Sequence, residues 1–486
     1  MNTRTRSPQL ILSLVLALAL LATACAGTSE DDTAEADPTA AIEASEEPAA
    51  SSSPSPTETP SPDDEATDAD EEEAHDADDH AEDGQPDSDD HDDHDHDEDD
   101  PSHDHEGEEL PEGETVEEVD NPQPRLAIAD AEAGIVRILD LASEEILAEV
   151  QTTGPARLTE TDGGRYLVAS MYDDDEVAFI DGGAWGVDHG DHVHYYTANP
   201  EPVGQPVELA SPAHVVVTDE SVAIFADGDG RAALFDEADL QEGDIEEVDS
   251  VETGTPHHGV IADFGQTRIA TVPHDDIDGG LPNAIGVADG DEVTQLAECP
   301  AMHGEHITSD GIVIACEDRI VDIDVTSTGA EARTINYPDT FAAERVWTLT
   351  AAHESDLIAA VNETGLLLLD TDGGEPTALE LPADAVTMAP GPDDTAVLLT
   401  ADGSVHLIDL AEGAITATAP AGPAVDLEDE DAIRPTIAVG DDRAYLTDPA
   451  AGTVLELATN DNFRVARTIT VDGVPGSMLH LGDDPR

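Results

Sequence analysis

The pattern of apolar and polar positions divides the chain in two. From about Arg125 onward, short β-branched and aliphatic runs alternate with turns rich in Asp and Gly, the pattern of antiparallel hairpins. No segment holds the 3.6-residue period of an amphipathic helix. One unit recurs: an apolar strand, a turn with Asp or Gly, and a second strand that ends near a Leu-Asp step. It falls at Leu126-Asp140, Tyr166-Asp181, Val222-Asp236, Ile269-Ala288, Ile312-Asp324, Leu357-Asp370, Ala396-Asp409 and Ala444-Leu457.

A repeat of about 40 to 55 residues is the range of four-stranded propeller blades rather than of helical or leucine-rich repeats. The expected fold is therefore all-β, a β-propeller of eight blades, or seven if one hairpin is an insertion. Gly204-Gln205-Pro206, Gly254-Thr255-Pro256 and Gly473-Val474-Pro475 precede or open runs expected to be the inner strands of blades. Val474 to Leu481 has no hairpin after it, so it is expected to complete the first blade and close the ring.

Before residue 123 the apolar pattern is lost. Ala26 to Pro122 consists mostly of Ala, Pro, Ser, Thr, Asp, Glu and His, with 41 acidic residues and no basic one. Such a segment cannot bury enough apolar surface to fold and is expected to be a disordered, self-repelling tether. The expected organisation is residues 1–24 as a signal peptide, 25–122 as the acidic tail and 123–486 as the propeller.

Charge narrows the partners. The chain carries 114 Asp and Glu against 16 basic residues, a formal charge of -98, and every basic residue is Arg. Nucleic acid and anionic membranes are bound through clustered Lys and Arg, so neither is an expected partner. Cations are, although an acid-biased proteome would give the same excess.

Arg4 and Arg6, an apolar run from Leu10 to Ala22, and small residues up to Cys25 make a secretory signal whose apolar run is short for a membrane span. Its end resembles a bacterial lipobox, with Ala22 where Leu usually stands and Leu21 one place earlier. Lipidation of Cys25 and anchoring at the outer face of the cell membrane are expected, with plain secretion as the alternative. The two other cysteines, Cys299 and Cys316, flank a hairpin that turns at Ser309-Asp310-Gly311. In an exported protein they read as a disulfide, ahead of a thiolate metal pair or free thiols.

The histidines carry the chemistry. His75, His80, His91, His94, His96, His103 and His105 lie among carboxylates in the tail, a donor set that suits Zn²⁺ and also takes Ni²⁺ or Cu²⁺. Twelve more lie in the folded part. Asp188-His189-Gly190-Asp191-His192-Val193-His194 follows the second hairpin. His214, His257-His258 and His303 with Glu305 and His306 fall on three successive inner strands, which would bring them onto one sector of the central channel. The loop with His189, His192 and His194 is expected to cover the mouth of that sector, with Asp188 and Asp191 as ligands or as partners that orient imidazoles. His189, His192, His214, His257 and His303 are the leading candidates, and His194, His258 and His306 follow. His274, His353, His406 and His480 are read as structural.

The runs Trp185-Gly186-Val187-Asp188-His189-Gly190-Asp191-His192, Pro212-Ala213-His214, Pro256-His257-His258-Gly259 and Cys299-Pro300-Ala301-Met302-His303-Gly304-Glu305 together resemble the zinc metallochaperone AztD family. The resemblance implies a periplasmic propeller that passes zinc to the solute-binding protein of a zinc ABC importer, and the protein is expected to be a monomer. The long acidic tail and the lipid anchor depart from a freely diffusing chaperone. A redox propeller enzyme and a plain interaction scaffold are the competing classes. Only Trp185 and Trp347 are available to stack on a flat cofactor, and no nucleophile triad, phosphate loop or dinucleotide fingerprint is present, so no enzymatic activity is expected.

Overall fold

The computed structural model describes residues 116–483 apart from 162, 191, 242, 244, 275–279, 342–344, 352–354, 372, 393, 430 and 441. Cys25, the seven tail histidines and Asp191 lie outside the described residues, as does His353. The fold is all-β. Among the described residues there are eight four-stranded antiparallel sheets, and the only α-helix is the short Glu237–Gln241.

In all eight sheets the two middle strands are those of a sequence hairpin, because each apolar run is bounded by a turn rich in Gly and Asp. The second strands are buried along their whole length, as in Tyr166–Met171, Ser221–Ala226 and Gly311–Ala315. A strand covered on both faces by neighbouring sheets has no solvent side, so its sequence reads as continuous apolar residues. The last strands, such as Ile146–Gln151 and Gly329–Asn336, are largely exposed and lie at the outer edge.

Packing between sheets makes the core. Val168 and Phe179 of one sheet meet Ile224 and Phe235 of the next, with the two phenyl rings edge to face at 5.1 Å. First strands touch from sheet to sheet, from Pro212–Thr218 to Ile261–Phe264, from Glu305–Thr308 to Thr348–Thr350, and on through Ala385–Pro390 and Ile437–Val439 to Pro475–Leu481. Pro475–Leu481 then pairs with Arg125–Asp130, in register Arg125↔Leu481 and Ala127↔Leu479, so the end of the chain completes the sheet begun by its first hairpin.

Two details differ from the sequence reading. Gly204-Gln205-Pro206 lies within an outer strand, Glu201–Glu208, at a register shift between Val203 and Val207. Gly204 there adopts φ +59, so this glycine serves a bulge and does not open an inner strand. Between the third and fourth strands of the same sheet the chain leaves the ring as an added hairpin, Ala184–Asp188 and Val193–Thr197. Glu117–Val119 pairs with that hairpin to make a separate three-stranded sheet.

Candidate metal centre

The first strand Pro212–Thr218 loses register with its neighbour between Pro212 and Val215, and His214 sits in that irregularity. His258 lies just before Ile261–Phe264. The residue after it must be glycine: a Cβ at Gly259 would stand 2.3 Å from the Phe225 ring and 2.7 Å from Thr271 Oγ1. His303 lies just before Glu305–Thr308, on a loop whose ends are joined by the Cys299–Cys316 disulfide. That loop is fixed further by bonds from His303 N to Ala315 O and from Glu317 N to Pro300 O, and by the buried Met302.

These three loops and strands bring His214, His258 and His303 together, with one ring nitrogen from each inside a sphere where all lie within 4.8 Å of one another. No other group of three metal-ligating side chains meets that way among the described residues. Each Nδ1 donates to a fixed acceptor: His214 to Glu305 Oε1 at 2.7 Å, His258 to Asp227 Oδ2 at 2.6 Å, and His303 to the Trp347 carbonyl at 3.2 Å. With Nδ1 committed as donor, Nε2 is left as the lone-pair nitrogen, which is the arrangement that orients imidazoles as metal ligands. The Nε2 atoms of His214 and His258 are 2.9 Å apart. Two lone pairs at that distance repel unless a proton or a cation lies between them.

Charge sets the protonation. Burial pulls the His214 imidazole down, but the charge and hydrogen bond of Glu305 outweigh it, and its pKa stands above the ordinary value. Burial pushes the Glu305 carboxyl up, and His214 outweighs that in turn, so it stays below the usual carboxylate range. Burial, with His214, His258 and Arg345 nearby, lowers His303 to about 4. The three rings face a cavity of about 350 Å³ whose wall includes Arg157, Ser170, Tyr172, Glu305 and Trp347.

His257, a leading candidate in the sequence, is corrected by its surroundings. It is fully buried, its Nδ1 donates to Thr255 O at 2.7 Å, its Nε2 takes the Thr271 hydroxyl at 2.8 Å, and its ring packs on Phe225. Both nitrogens are used, so it is a core residue and His258 stands at the cluster instead. His306 pairs across the ladder with Val313, and strand alternation sets it on the face opposite Glu305.

The second group forms on the added hairpin. His192 Nε2 lies 2.9 Å from His194 Nε2, and His194 Nδ1 lies 2.7 Å from Glu118 Oε1. The His189 ring is 5.4 Å from that of His192 and 5.0 Å from that of His194. Asp188 accepts from Gly190 N at 2.6 Å and shapes the tip. The hairpin packs on Glu117–Val119 and its base is pinned by Arg125, which donates to Gly182 O, Ala198 O and Thr197 Oγ1, while Arg165 stacks on Trp185 at 3.8 Å. His189, His192 and His194 are thus gathered on the hairpin, which forms a sheet of its own with Glu117–Val119, and His214, His258 and His303 are gathered at the first strands of the four-stranded sheets.

His406, bonded to Thr400 and Thr418, and His480, stacked on Tyr445 beside Asp483, have the structural surroundings expected of them, and His274 lines a separate hollow with Asn283 and Glu298. Sequence reasoning missed Asp227, Glu118, Arg157 and Ser170. Asp227 follows a strand as part of an Asp-Gly turn, and nothing in the sequence separates its carboxylate from those of other turns.

No protein-family model matches the chain. Among curated proteins it is similar to the zinc chaperone AztD of Citrobacter koseri, at 26% identity over 367 residues that span 74% of this chain and 86% of that protein. A solved structure of apo AztD from Citrobacter koseri superposes with a TM-score of 0.70 at 24% identity, covering 76% of this chain and 100% of that one. A second crystal structure of Citrobacter koseri AztD gives 0.70 and 24%, covering 75% and 99%. The fold is shared, and the resemblance to AztD drawn from the histidine motifs is borne out.

Proposed function

We propose that this protein is an extracytoplasmic zinc chaperone that takes Zn²⁺ as cargo on His214, His258 and His303 and hands it to a partner protein. The observation that carries this reading is the convergence of three imidazoles whose Nδ1 atoms are all held by acceptors, leaving Nε2 atoms turned toward one point. Three nitrogens supply three of the four positions zinc prefers and leave the last open toward the cavity. An open position lets an incoming ligand bind before an existing one leaves. The similarity to a zinc chaperone supports zinc as the cargo.

In the same reading the hairpin group at His189, His192 and His194 and the tail histidines are additional, exchangeable zinc sites. A tail must lose conformational entropy to wrap an ion, so its sites are weaker than a site fixed on strands. Residues 1–24 direct export, Cys25 carries the lipid anchor, residues 25–122 form the tether, and the zinc acceptor is the solute-binding protein of a zinc ABC importer. The protein acts as a monomeric carrier and not as an enzyme.

The test compares the full chain with a His214→Ala, His258→Ala, His303→Ala variant. Equilibrium competition should show one tight zinc lost in the variant and the weaker sites retained. Zinc should then pass from the native protein to the acceptor faster than to a small chelator. Retention of the tight zinc, or transfer no faster than spontaneous release, overturns the proposal.

A further inference from the structure

The cavity in front of the three histidines has an unexpected charge pattern for a cation site. Only 14 of the chain's 16 Arg fall beyond the signal segment, yet two of them act on this cluster: Arg157 lines the cavity, and Arg345 depresses His303. Arg157 and Ser170 are directly opposite across the ladder between Arg157–Glu160 and Tyr166–Met171, so both project from one end of one sheet. Ser170 is 5% exposed, lines the cavity, and its Oγ has no hydrogen-bond partner. Buried hydroxyls are ordinarily paired, and one left open beside a cavity points to a ligand. Arg157 is exposed and lines the same cavity, close enough to act on the charges of His214 and Glu305.

The charge count leads the same way. Glu305, which orients His214, has Arg157 near it, and Arg345 stands near His303. Adding Zn²⁺ to neutral imidazoles beside these two guanidiniums brings two more positive charges into a half-buried site, and an anion arriving with the metal relieves that cost. A carboxylate meets each requirement: one oxygen for the open metal position, and the other for the Arg157 fork and the Ser170 hydroxyl.

Resting on the zinc reading above, we infer that the Arg157–Ser170 corner is a carboxylate receptor that places a carboxylate oxygen as the fourth ligand of the cargo metal. Metal is then held or released according to whether that carboxylate is present, which makes the acid group the controlling element of transfer.

The experiment uses full-length protein saturated with Co²⁺, whose visible absorption reports the ligand set. Subtracting the spectrum of the His214→Ala, His258→Ala, His303→Ala variant isolates the cluster from the tail. Acetate is titrated at constant ionic strength, with chloride as the control. The native difference spectrum should shift saturably with acetate. Arg157→Gln should raise the acetate concentration at half-change by about tenfold and Ser170→Ala by about threefold, the scale of one charged and one neutral hydrogen bond. A difference between native and Arg157→Gln before acetate is added identifies a carboxylate of the chain itself; a difference only after addition identifies one from outside. Either sustains the inference. No response to acetate where the native and Arg157→Gln spectra also coincide before it is added, an equal response to chloride, or identical titrations in native and Arg157→Gln overturn it while leaving the three-histidine site standing. A blank difference spectrum removes that site and the inference together.

Discussion

The Nε2 atoms of His214 and His258 stand 2.9 Å apart while the Nδ1 of each is held by a different carboxylate, Glu305 and Asp227. The pair is thus fixed from behind and opposed in front. Removing a carboxylate should loosen the ligand without removing it. Asp227→Asn and Glu305→Gln are each expected to lower zinc affinity by about 10- to 100-fold, the usual cost of losing a group that orients a metal-bound imidazole. Competition with a chromophoric chelator measures this, and an unchanged affinity in both variants would contradict the assignment.

His257 and His258 should separate cleanly. His258→Ala is expected to abolish tight zinc binding, because it removes a nitrogen from the cluster. His257→Ala should leave zinc stoichiometry unchanged and lower stability by about 1–3 kcal/mol, since it strips hydrogen bonds from the half-buried Thr255 O and the buried Thr271 Oγ1. Denaturant melts and metal analysis of the two variants decide the matter; equal zinc loss in both would fail the prediction.

This pair also marks how far the sequence could be read. The hairpins were legible because strands buried on both faces are continuously apolar and their turns are built from Asp and Gly. That His214, one of His257 and His258, and His303 come to one place followed from the repeat alone. Which of two adjacent histidines faces the cavity did not, because neither lies in a strand and the backbone phase is set by Gly259 fitting against Phe225. The separate sheet of the hairpin with His189, His192 and His194 depends on Arg125, 57 residues upstream of Gly182, and on pairing with Glu117–Val119, neither of which leaves a periodic trace.

The Cys299–Cys316 bond closes the loop that carries His303. Replacing both cysteines by Ser should lower stability by about 3 kcal/mol, the value for a loop of this length, and weaken zinc binding through His303 more than it disturbs the hairpin histidines. Thermal melts with and without zinc would show it. Two alkylatable thiols in the native protein would remove the premise.

The hairpin group is predicted to act independently. His189→Ala with His192→Ala should reduce total zinc bound while leaving the tightest site and its affinity intact, since the rings of the two groups make their contacts within each group. Loss of the tight site in this double variant would show that the groups form one centre after all.

The pH dependence follows from the unequal histidines. Zinc must displace any proton from Nε2, so binding weakens as pH falls through the pKa of the metal-free site. His214 stands above the ordinary value of 6.5 because Glu305 outweighs its burial, so competition by protons should begin on the alkaline side of 6.5. His303, at about 4, adds no competition over that range and stays a neutral donor until the solution is strongly acid. The sign is therefore that affinity is full at high pH and is lost progressively as His214 takes up its proton. Glu305→Gln removes the charge that raises His214, leaving burial to lower it. In that variant the affinity at high pH should be weaker, as the ring is less firmly oriented, but its decline should start at lower pH. Zinc affinities measured from about pH 5 to 8, corrected with the triple-histidine variant for the tail, test this directly. If native and Glu305→Gln proteins lose zinc over the same pH interval, the Glu305–His214 pair does not govern the site.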